Sequence, residues 1–166
     1  VTIALMAGAV SIVPQVAYGM PQGVDGASAA VNTATKTMTV TGTETNNVVG
    51  WQDFSIQQQE TVHFSGAGKN YLNLVKGQGS SFIDGTLKSD GGNVYLVNPN
   101  GVIFGAGAKV NVGAGTFAAS TQAIDTINQA TFAATGSCPL SAAGTTMDVV
   151  NLVDPTKGGS IKASHV

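Results

Sequence analysis

Four acidic side chains in the central part of the chain could support acid–base chemistry on a polysaccharide: Asp53, Glu60, Asp84 and Asp90. Glycosidases and polysaccharide lyases require clustered carboxylates, or a basic residue held by them. Asp84 and Asp90 each precede a glycine, which is typical of residues that form turns. The chain also contains no arginine. We therefore predict that these acids form turns and that the chain is not an enzyme.

Two other residues could act as a base or a nucleophile. His63 alternates with Val62 and Phe64, which places it on the outer side of a strand. Cys138 precedes a proline and has no histidine nearby in the sequence, which disfavours a reactive thiolate. A zinc site would need more cysteine or histidine than these two residues and His165 provide. We predict no metal site here.

Cofactor and nucleic-acid binding are also disfavoured. The glycine-rich piece at residues 66–68 lacks the third glycine of a dinucleotide loop and the lysine of a phosphate loop. Only 10% of the residues are charged, and the net charge is −2. A nucleic-acid-binding protein needs clustered lysine and arginine against the phosphates. We predict no bound cofactor and no nucleic-acid partner.

The motif formed by Asn98, Pro99, Asn100 and Gly101 has the residues of a type I β-turn. Proline fixes φ at the second position, and the Asn98 side chain can accept a bond from the backbone ahead of it. We therefore expect a tight corner between two short strands. Loss of either asparagine side chain would cost about 1 kcal/mol if its bonds are local.

The elements around this motif are predicted to be short strands. Val occurs twenty times, Thr eighteen times and Gly 22 times, against seven Leu. Branched side chains favour strands, and glycine supplies turns, so the composition predicts an all-β protein. Alternation of apolar and polar residues indicates half-buried strands at residues 36–43, 61–65 and 71–74. One weak helix is predicted within residues 118–134.

Strand-like units recur between residues 85 and 120. They begin near Gly85, Asn93, Gly101, Ala108 and Thr116, at steps of seven or eight residues. Such spacing fits a sandwich or barrel, and it also fits a solenoid with three short strands in a coil of about 24 residues. Small residues and asparagine at the corners, with Val and Ile inside, favour the solenoid.

The N-terminus differs from the rest of the chain. Residues 1–13 are almost wholly apolar, and Pro14 ends the run. The run is shorter than the roughly 20 residues that span a bilayer, and Ala17 and Gly19 suit a secretory cleavage site. We interpret residues 1–19 as a partial signal peptide, the alternative being a short buried strand or helix. The mature, secreted chain would then start near Met20.

Seven stretches between residues 51 and 121 follow one another in the order and spacing of a known family: residues 51–56 (WQDFSI), 62–64 (VHF), 72–75 (LNLV), 81–87 (SFIDGTL), 94–105 (VYLVNPNGVIFG), 108–113 (AKVNVG) and 118–121 (AAST). They resemble the N-terminal secretion domain, also called the haemagglutination activity domain, of filamentous-haemagglutinin-like two-partner-secretion exoproteins. The most specific match is residues 98–105, and Pro21, Gln22 and Gly23 resemble the mature start of this family. Some members carry a second Asn-Pro-Asn-Leu motif, where this chain has residues 70–74 (NYLNL), so it resembles the high-molecular-weight adhesin branch.

This resemblance implies a right-handed parallel β-helix with extra-helical hairpins. It implies export across the inner membrane and recognition in the periplasm by an outer-membrane β-barrel transporter that carries periplasmic transport-associated domains. The chain would cross the outer membrane unfolded and fold outside, and Asn98, Pro99, Asn100 and Gly101 would form a motif needed for secretion. The protein would be secreted or held at the surface of a Gram-negative bacterium.

The C-terminal part bears on the wider role. Residues 148–153 and 160–163 are predicted strands, and the chain stops soon after them without a polar capping segment. We expect residues 20–166 to be a C-terminally truncated β-helix, with a host or cell-surface receptor bound by the missing part. The parent would be a large adhesin; the alternatives are a contact-dependent toxin or haemolysin, and a stand-alone β-helix carbohydrate-active protein.

Overall fold

The computed structural model describes residues 19–140 and the strand at residues 160–165. Strands dominate both parts, which confirms the predicted all-β class. Most strands have three to six residues, as expected from the short alternating runs in the sequence. The strands are β1 (Ser28–Asn32), β2 (Thr37–Thr41), β3 (Asn46–Trp51), β4 (Thr61–Phe64), β5 (Asn70–Val75), β6 (Ser81–Ile83), β7 (Thr86–Ser89), β8 (Val94–Val97), β9 (Val102–Phe104), β10 (Lys109–Ser120) and β11 (Ser160–His165).

These strands wind into a parallel β-solenoid of about four turns, which confirms the predicted β-helix. On the first face β2, β4, β7 and the start of β10 lie side by side. The second face holds β3, β5, β8 and the end of β10. On the third face β6 pairs with β9. Paired residues lie one coil apart, as Val48 and Leu72 do, 24 residues from each other.

In a solenoid with three short strands in each coil, successive strands lie on successive faces, each paired in parallel with the neighbouring coil. Tyr95 of β8 pairs with Leu72 on the second face, and Ile103 of β9 pairs with Phe82 on the third. Val110 of β10 pairs with β7 on the first face. An antiparallel meander of these strands would have contradicted the solenoid, and all three pairings are parallel.

An aromatic stack fills the inside of the first two coils. The rings of Trp51 and Phe54 meet edge to face, with centroids 5.4 Å apart. Phe54 stacks on Phe64, and Phe64 packs against Tyr71 at 4.9 Å. All four side chains are buried. Large rings thus occupy the N-terminal end of the solenoid, where aromatic pairs add about 0.5–1.5 kcal/mol beyond their area burial.

Two segments flank the first coil. Residues 20–25 run antiparallel to it, with Gln22 bridging to Asp53 and Asp25 to Gly50. Strands β1 and β2 form an antiparallel hairpin, in which β1 covers the outer edge of the first face at the same end of the solenoid. Because both segments pair with strand edges that would otherwise be open, they protect the start of the solenoid from further strand pairing.

The predicted units near Ala108 and Thr116 are one continuous strand, β10. Its first part pairs with β7 and its last part with β8, so it turns from one face to the next without a loop. Gly113, at φ 60°, lies between the two parts and permits the bend. The predicted strand at residues 160–163 is present within β11, which pairs in parallel with β10. The strand predicted at residues 148–153 lies outside the described residues.

The helix predicted within residues 118–134 is shorter in the structure than the prediction. Its first residues belong to β10, because pairing with β8 outweighs a weak helical propensity. The helix α1 covers only Gln129–Thr135, after a short 3-10 turn at Ile124–Thr126. Asn128 caps its start and Gly136, at φ 68°, ends it. No helix within residues 19–140 has the length and apolar character needed to cross a bilayer.

Candidate functional site

The corner motif forms the tight turn expected from its sequence. Gly101 N–H donates to the carbonyl of Asn98 at 3.0 Å, which closes a β-turn. The Asn98 side-chain oxygen accepts from Asn100 N–H at 2.9 Å. Pro99 and Asn100 are exposed, whereas Asn98 is fully buried at 0%. The motif therefore has an outer part open to solvent and an inner part inside the protein.

Asn98 holds the corner to the coils on both sides. Its amide nitrogen donates to Gly79 O at 2.9 Å and to Ser81 Oγ at 3.0 Å, both in the preceding coil. Its backbone N–H donates to Ser120 O of the following coil. Every polar group of the side chain thus has a partner within the protein, which is what a buried amide requires.

The exposed part of the motif is also hydrogen-bonded to the corresponding corner of the preceding coil. Asn100 donates from its side chain to Gly77 O at 2.8 Å, and its carbonyl accepts from Ser80 Oγ at 2.6 Å. Gly101, at φ 117°, has a backbone conformation that other residues rarely adopt. The 98–101 corner is therefore a clamp between successive coils, and its role in secretion stays a prediction.

A second buried asparagine joins three coils at the inner core. The Asn73 side-chain oxygen accepts from Trp51 Nε1–H at 2.9 Å, in the coil before it. Its amide nitrogen donates to Tyr95 O at 3.1 Å, in the coil after it. The side chain is fully buried.

Asparagines, which were predicted at the corners, also form a hydrogen-bonded ladder along one corner of the solenoid, and these bonds between coils were not predicted. Asn70 donates to the side chain of Asn46 at 2.8 Å and accepts from Asn93 N–H at 2.9 Å. Asn93 in turn accepts from Thr116 N–H at 2.8 Å. The spacing of these residues, 24 and then 23 positions for the asparagines, matches the coil length. That periodicity was a signal in the sequence from which the ladder could have been found.

The acidic residues considered for catalysis instead stabilise turns. Asp84 accepts from Gly107 N–H at 2.7 Å, at the same corner of the next coil. Asp90 accepts from Gly66 N–H at 2.9 Å. Glu60 is buried and accepts from Gln57 N–H at 2.9 Å. Within residues 19–140, no three of the His, Cys, Asp and Glu side chains gather into a group that could hold a metal ion.

The remaining predicted residues lie apart from one another. His63 is half-buried on the first face, as its alternation indicated, and its Nε2 is 2.7 Å from Asp90 Oδ1. Partial burial raises the pKa of Asp53. Cys138 is a free, exposed thiol. Of the predicted cleavage residues, Gly19 packs against Gln57 and Ala17 lies outside the described residues.

The Asp90 carboxylate gives one pH-dependent prediction. Hydrogen bonds from His63 and from Gly66 N–H hold the pKa of Asp90 below its usual value of 3.8. A carboxylate whose pKa is lowered by folding contributes stability above its unfolded pKa and loses it as the pH falls through the folded pKa. The pair is partly exposed, so we expect Asp90→Asn to lower the free energy of unfolding by less than about 1 kcal/mol at pH 6.

Urea unfolding of the wild type and of Asp90→Asn at pH 6 and at pH 2 would measure this effect. The difference between the two proteins should become smaller at pH 2, because stability that comes from a lowered carboxylate pKa is lost as the pH falls through the folded pKa. A difference that is the same at both pH values would show that the charge of Asp90 is irrelevant. Asp125→Asn serves as a control, because Asp125 is exposed.

Comparison with known proteins places the chain among secretion domains. Residues 17–164 match the TPS secretion domain family, TPS standing for two-partner secretion. A heme/hemopexin-binding protein of Haemophilus influenzae is 38% identical over 117 residues, which cover 68% of this chain and 13% of that protein. Another heme/hemopexin-binding protein of this species is 41% identical over 66 residues, 39% of this chain and 7% of that protein. The chain therefore spans a small part of the length of these relatives.

A solved structure shares the fold. The crystal structure of the HMW1 secretion domain from Haemophilus influenzae superposes with a TM-score of 0.55 at 30% sequence identity, covering 63% of this chain and 28% of that chain. The family is one of secretion domains and not of enzymes. This chain belongs to the TPS secretion domain family, the secretion domains of two-partner-secretion exoproteins.

Proposed function

We propose that this domain is the secretion signal and the folding nucleus of a large surface-exposed or secreted bacterial adhesin. Two-partner-secretion exoproteins leave the cell through an outer-membrane transporter. In this proposal the transporter recognises the domain in the periplasm through its transport-associated domains. The observation that carries the proposal is the 98–101 corner, which ties one coil to both of its neighbours.

The physical argument starts from the cost of beginning a solenoid. Parallel strands pair residues that lie a whole coil apart in sequence, so the first pairing is slow and entropically costly. Later coils add to a finished edge at lower cost, because each repeat contacts mainly its neighbours. A clamp such as Asn98, which links the second, third and fourth coils, stabilises the unit on which the rest of the exoprotein can grow.

An export experiment tests this proposal. The double variant Asn98→Ala/Asn100→Ala, in the full exoprotein expressed with its transporter, should be secreted in smaller amounts and accumulate in the periplasm. Asn111→Ala is the matched control, because Asn111 is exposed and accepts a local bond from Gly113 N–H. Secretion of the double variant at the control level, with a domain that is measurably less stable in vitro, would contradict the proposal.

The same experiment separates the two parts of the proposal, the secretion signal and the folding nucleus. Lost export combined with unchanged stability of the purified domain would mean that the transporter reads the motif directly. The domain would then remain a secretion signal, but it would not act as a folding nucleus. Stability is measured by urea unfolding followed through the fluorescence of Trp51, the single tryptophan of the chain.

A second role for the parent protein is supported by the names of two relatives. Both are heme/hemopexin-binding proteins, and the longer match covers 68% of this chain. We therefore propose capture of heme or of a heme-carrying host protein as the alternative to adhesion. The secreted full-length exoprotein would be tested for retention on immobilised hemopexin and, separately, for attachment to host cells. Retention without attachment would favour heme capture, and attachment alone would favour the adhesin.

A further inference from the structure

A second apolar cluster lies outside the solenoid, on the outer side of the second face. The outward side chains of β5 and β8 are apolar and buried: Leu72, Leu74, Tyr95 and Val97. An open solenoid face would alternate apolar and polar residues, but β8 is buried at all four positions. These strands are therefore covered on both sides.

The cover is the segment at residues 121–140, which we call the strap. Ile127 and Phe132 of the strap are buried in the outer cluster. The rings of Phe132 and Tyr95 meet edge to face at 5.9 Å. Leu140, near the end of the strap, packs against the same cluster. The strap follows β10 directly, so it comes after all four coils in the chain.

The strap contacts every coil of the solenoid. In the first coil, the Asn46 side chain donates to Ala133 O at 3.1 Å, and Val48 packs at the edge of the outer cluster. The second and third coils contribute the buried side chains of β5 and β8, and the fourth contributes Ala118. Docking of the strap thus requires all four coils to be stacked in register.

The strap has little structure of its own. Helix α1 has seven residues and is rich in alanine and threonine. A helix of this length is not stable alone in water, where about 12–15 residues are needed. Its only buried side chain is Phe132, which packs on the solenoid. The helix therefore forms when the strap docks, and the solenoid provides the surface on which it forms.

We infer that residues 121–140 form a strap that closes after the four coils that precede it and locks these stacked coils against unfolding. The chain reaches the strap only after the coils, and the strap binds them only when all four are in place. Contacts that form after the transition state slow unfolding and leave the folding rate unchanged. The inference rests on the fold alone and is independent of how the transporter recognises the domain.

Folding kinetics of the 166-residue chain test the strap. Phe132→Ala should speed unfolding by about 100-fold or more, the usual scale for truncating a fully buried phenylalanine, and change the refolding rate by less than about twofold. Trp51 fluorescence reports both rates, because Trp51 lies in the inner core, away from the strap. The inference would be overturned if the substitution slowed refolding by as large a factor as it accelerated unfolding. It would also be overturned if the unfolding rate did not change.

Two other substitutions make the result interpretable. Phe132→Leu keeps most of the side chain and should speed unfolding by about tenfold, so that the test survives if the alanine variant does not fold. Phe64→Leu changes a phenylalanine that is equally buried, but in the inner core, and should slow refolding. Equal effects of Phe64→Leu and Phe132→Leu on both rates would show that the strap is not a separate, late element.

Hydrogen exchange in the native state provides a second measurement. The backbone N–H groups of Phe132 and Gly136 are bonded within the strap, to Asn128 O and Phe132 O. If the strap opens before the coils separate, these amides should exchange at least about tenfold faster than those of β5 and β8. Exchange at the same rate as in β5 and β8 would mean that strap and coils open together, which contradicts the inference.

Discussion

Asn98→Ala is expected to lower the free energy of unfolding by about 3 kcal/mol, the largest effect of any single change in the corner motif. The substitution removes the two bonds that the Asn98 amide donates to Gly79 O and Ser81 Oγ, and the bond that it accepts from Asn100 N–H. Each buried polar group left without a partner costs about 1–3 kcal/mol. Ser81 is itself fully buried, so water cannot replace the lost partner there.

Asn100→Ala is the matched comparison within the same motif. Asn100 is exposed, and its side chain donates to Gly77 O, whereas Asn98 is fully buried. We expect a loss of about 1 kcal/mol. Urea unfolding of the purified domain measures both variants. Equal losses for the two asparagines would show that the burial of Asn98 contributes nothing to its effect.

A difference of this kind between the two asparagines was not visible in the sequence. From the turn alone, each side chain was expected to contribute about 1 kcal/mol, because only bonds within the turn could be inferred. The bonds of Asn98 to Gly79 and Ser81 cross from one coil to the next. Such bonds depend on which corners stack on each other, and the sequence of one corner does not contain that information.

The fold itself was largely predictable. Alternation at residues 61–65 and regular units after residue 85 correspond to β4, β7, β8 and β9. The join of two predicted units into β10 was missed, because a glycine bend and a loop look alike in sequence. The strap was missed for a different reason. Leu72, Leu74, Tyr95 and Val97 are ordinary strand residues, and only the fold shows that their outer side is covered.

Asn73→Ala gives the second large effect, an expected loss of about 3 kcal/mol. The substitution leaves the Trp51 indole N–H without its partner in the inner core and opens a cavity beside Tyr95 O. Asn73→Leu restores the volume but not the bonds, so its loss should be smaller, about 1–2 kcal/mol. Unfolding in urea, followed by circular dichroism and by Trp51 fluorescence, measures both. A loss from Asn73→Ala no greater than that from Asn111→Ala would contradict the bridging role.

Asn73 also separates the two ways in which the domain could direct export. It lies outside the corner motif, so Asn73→Ala leaves the sequence of residues 98–101 unchanged. If export depends on how stably the first coils form, Asn73→Ala should reduce secretion about as much as Asn98→Ala, because both remove a bond network between coils. If the transporter reads the sequence of the motif, only changes at residues 98–101 should reduce secretion. Export of Asn73→Ala at the wild-type level, despite its expected loss of stability, would exclude the folding-nucleus part of the proposal and leave recognition of the motif as its basis.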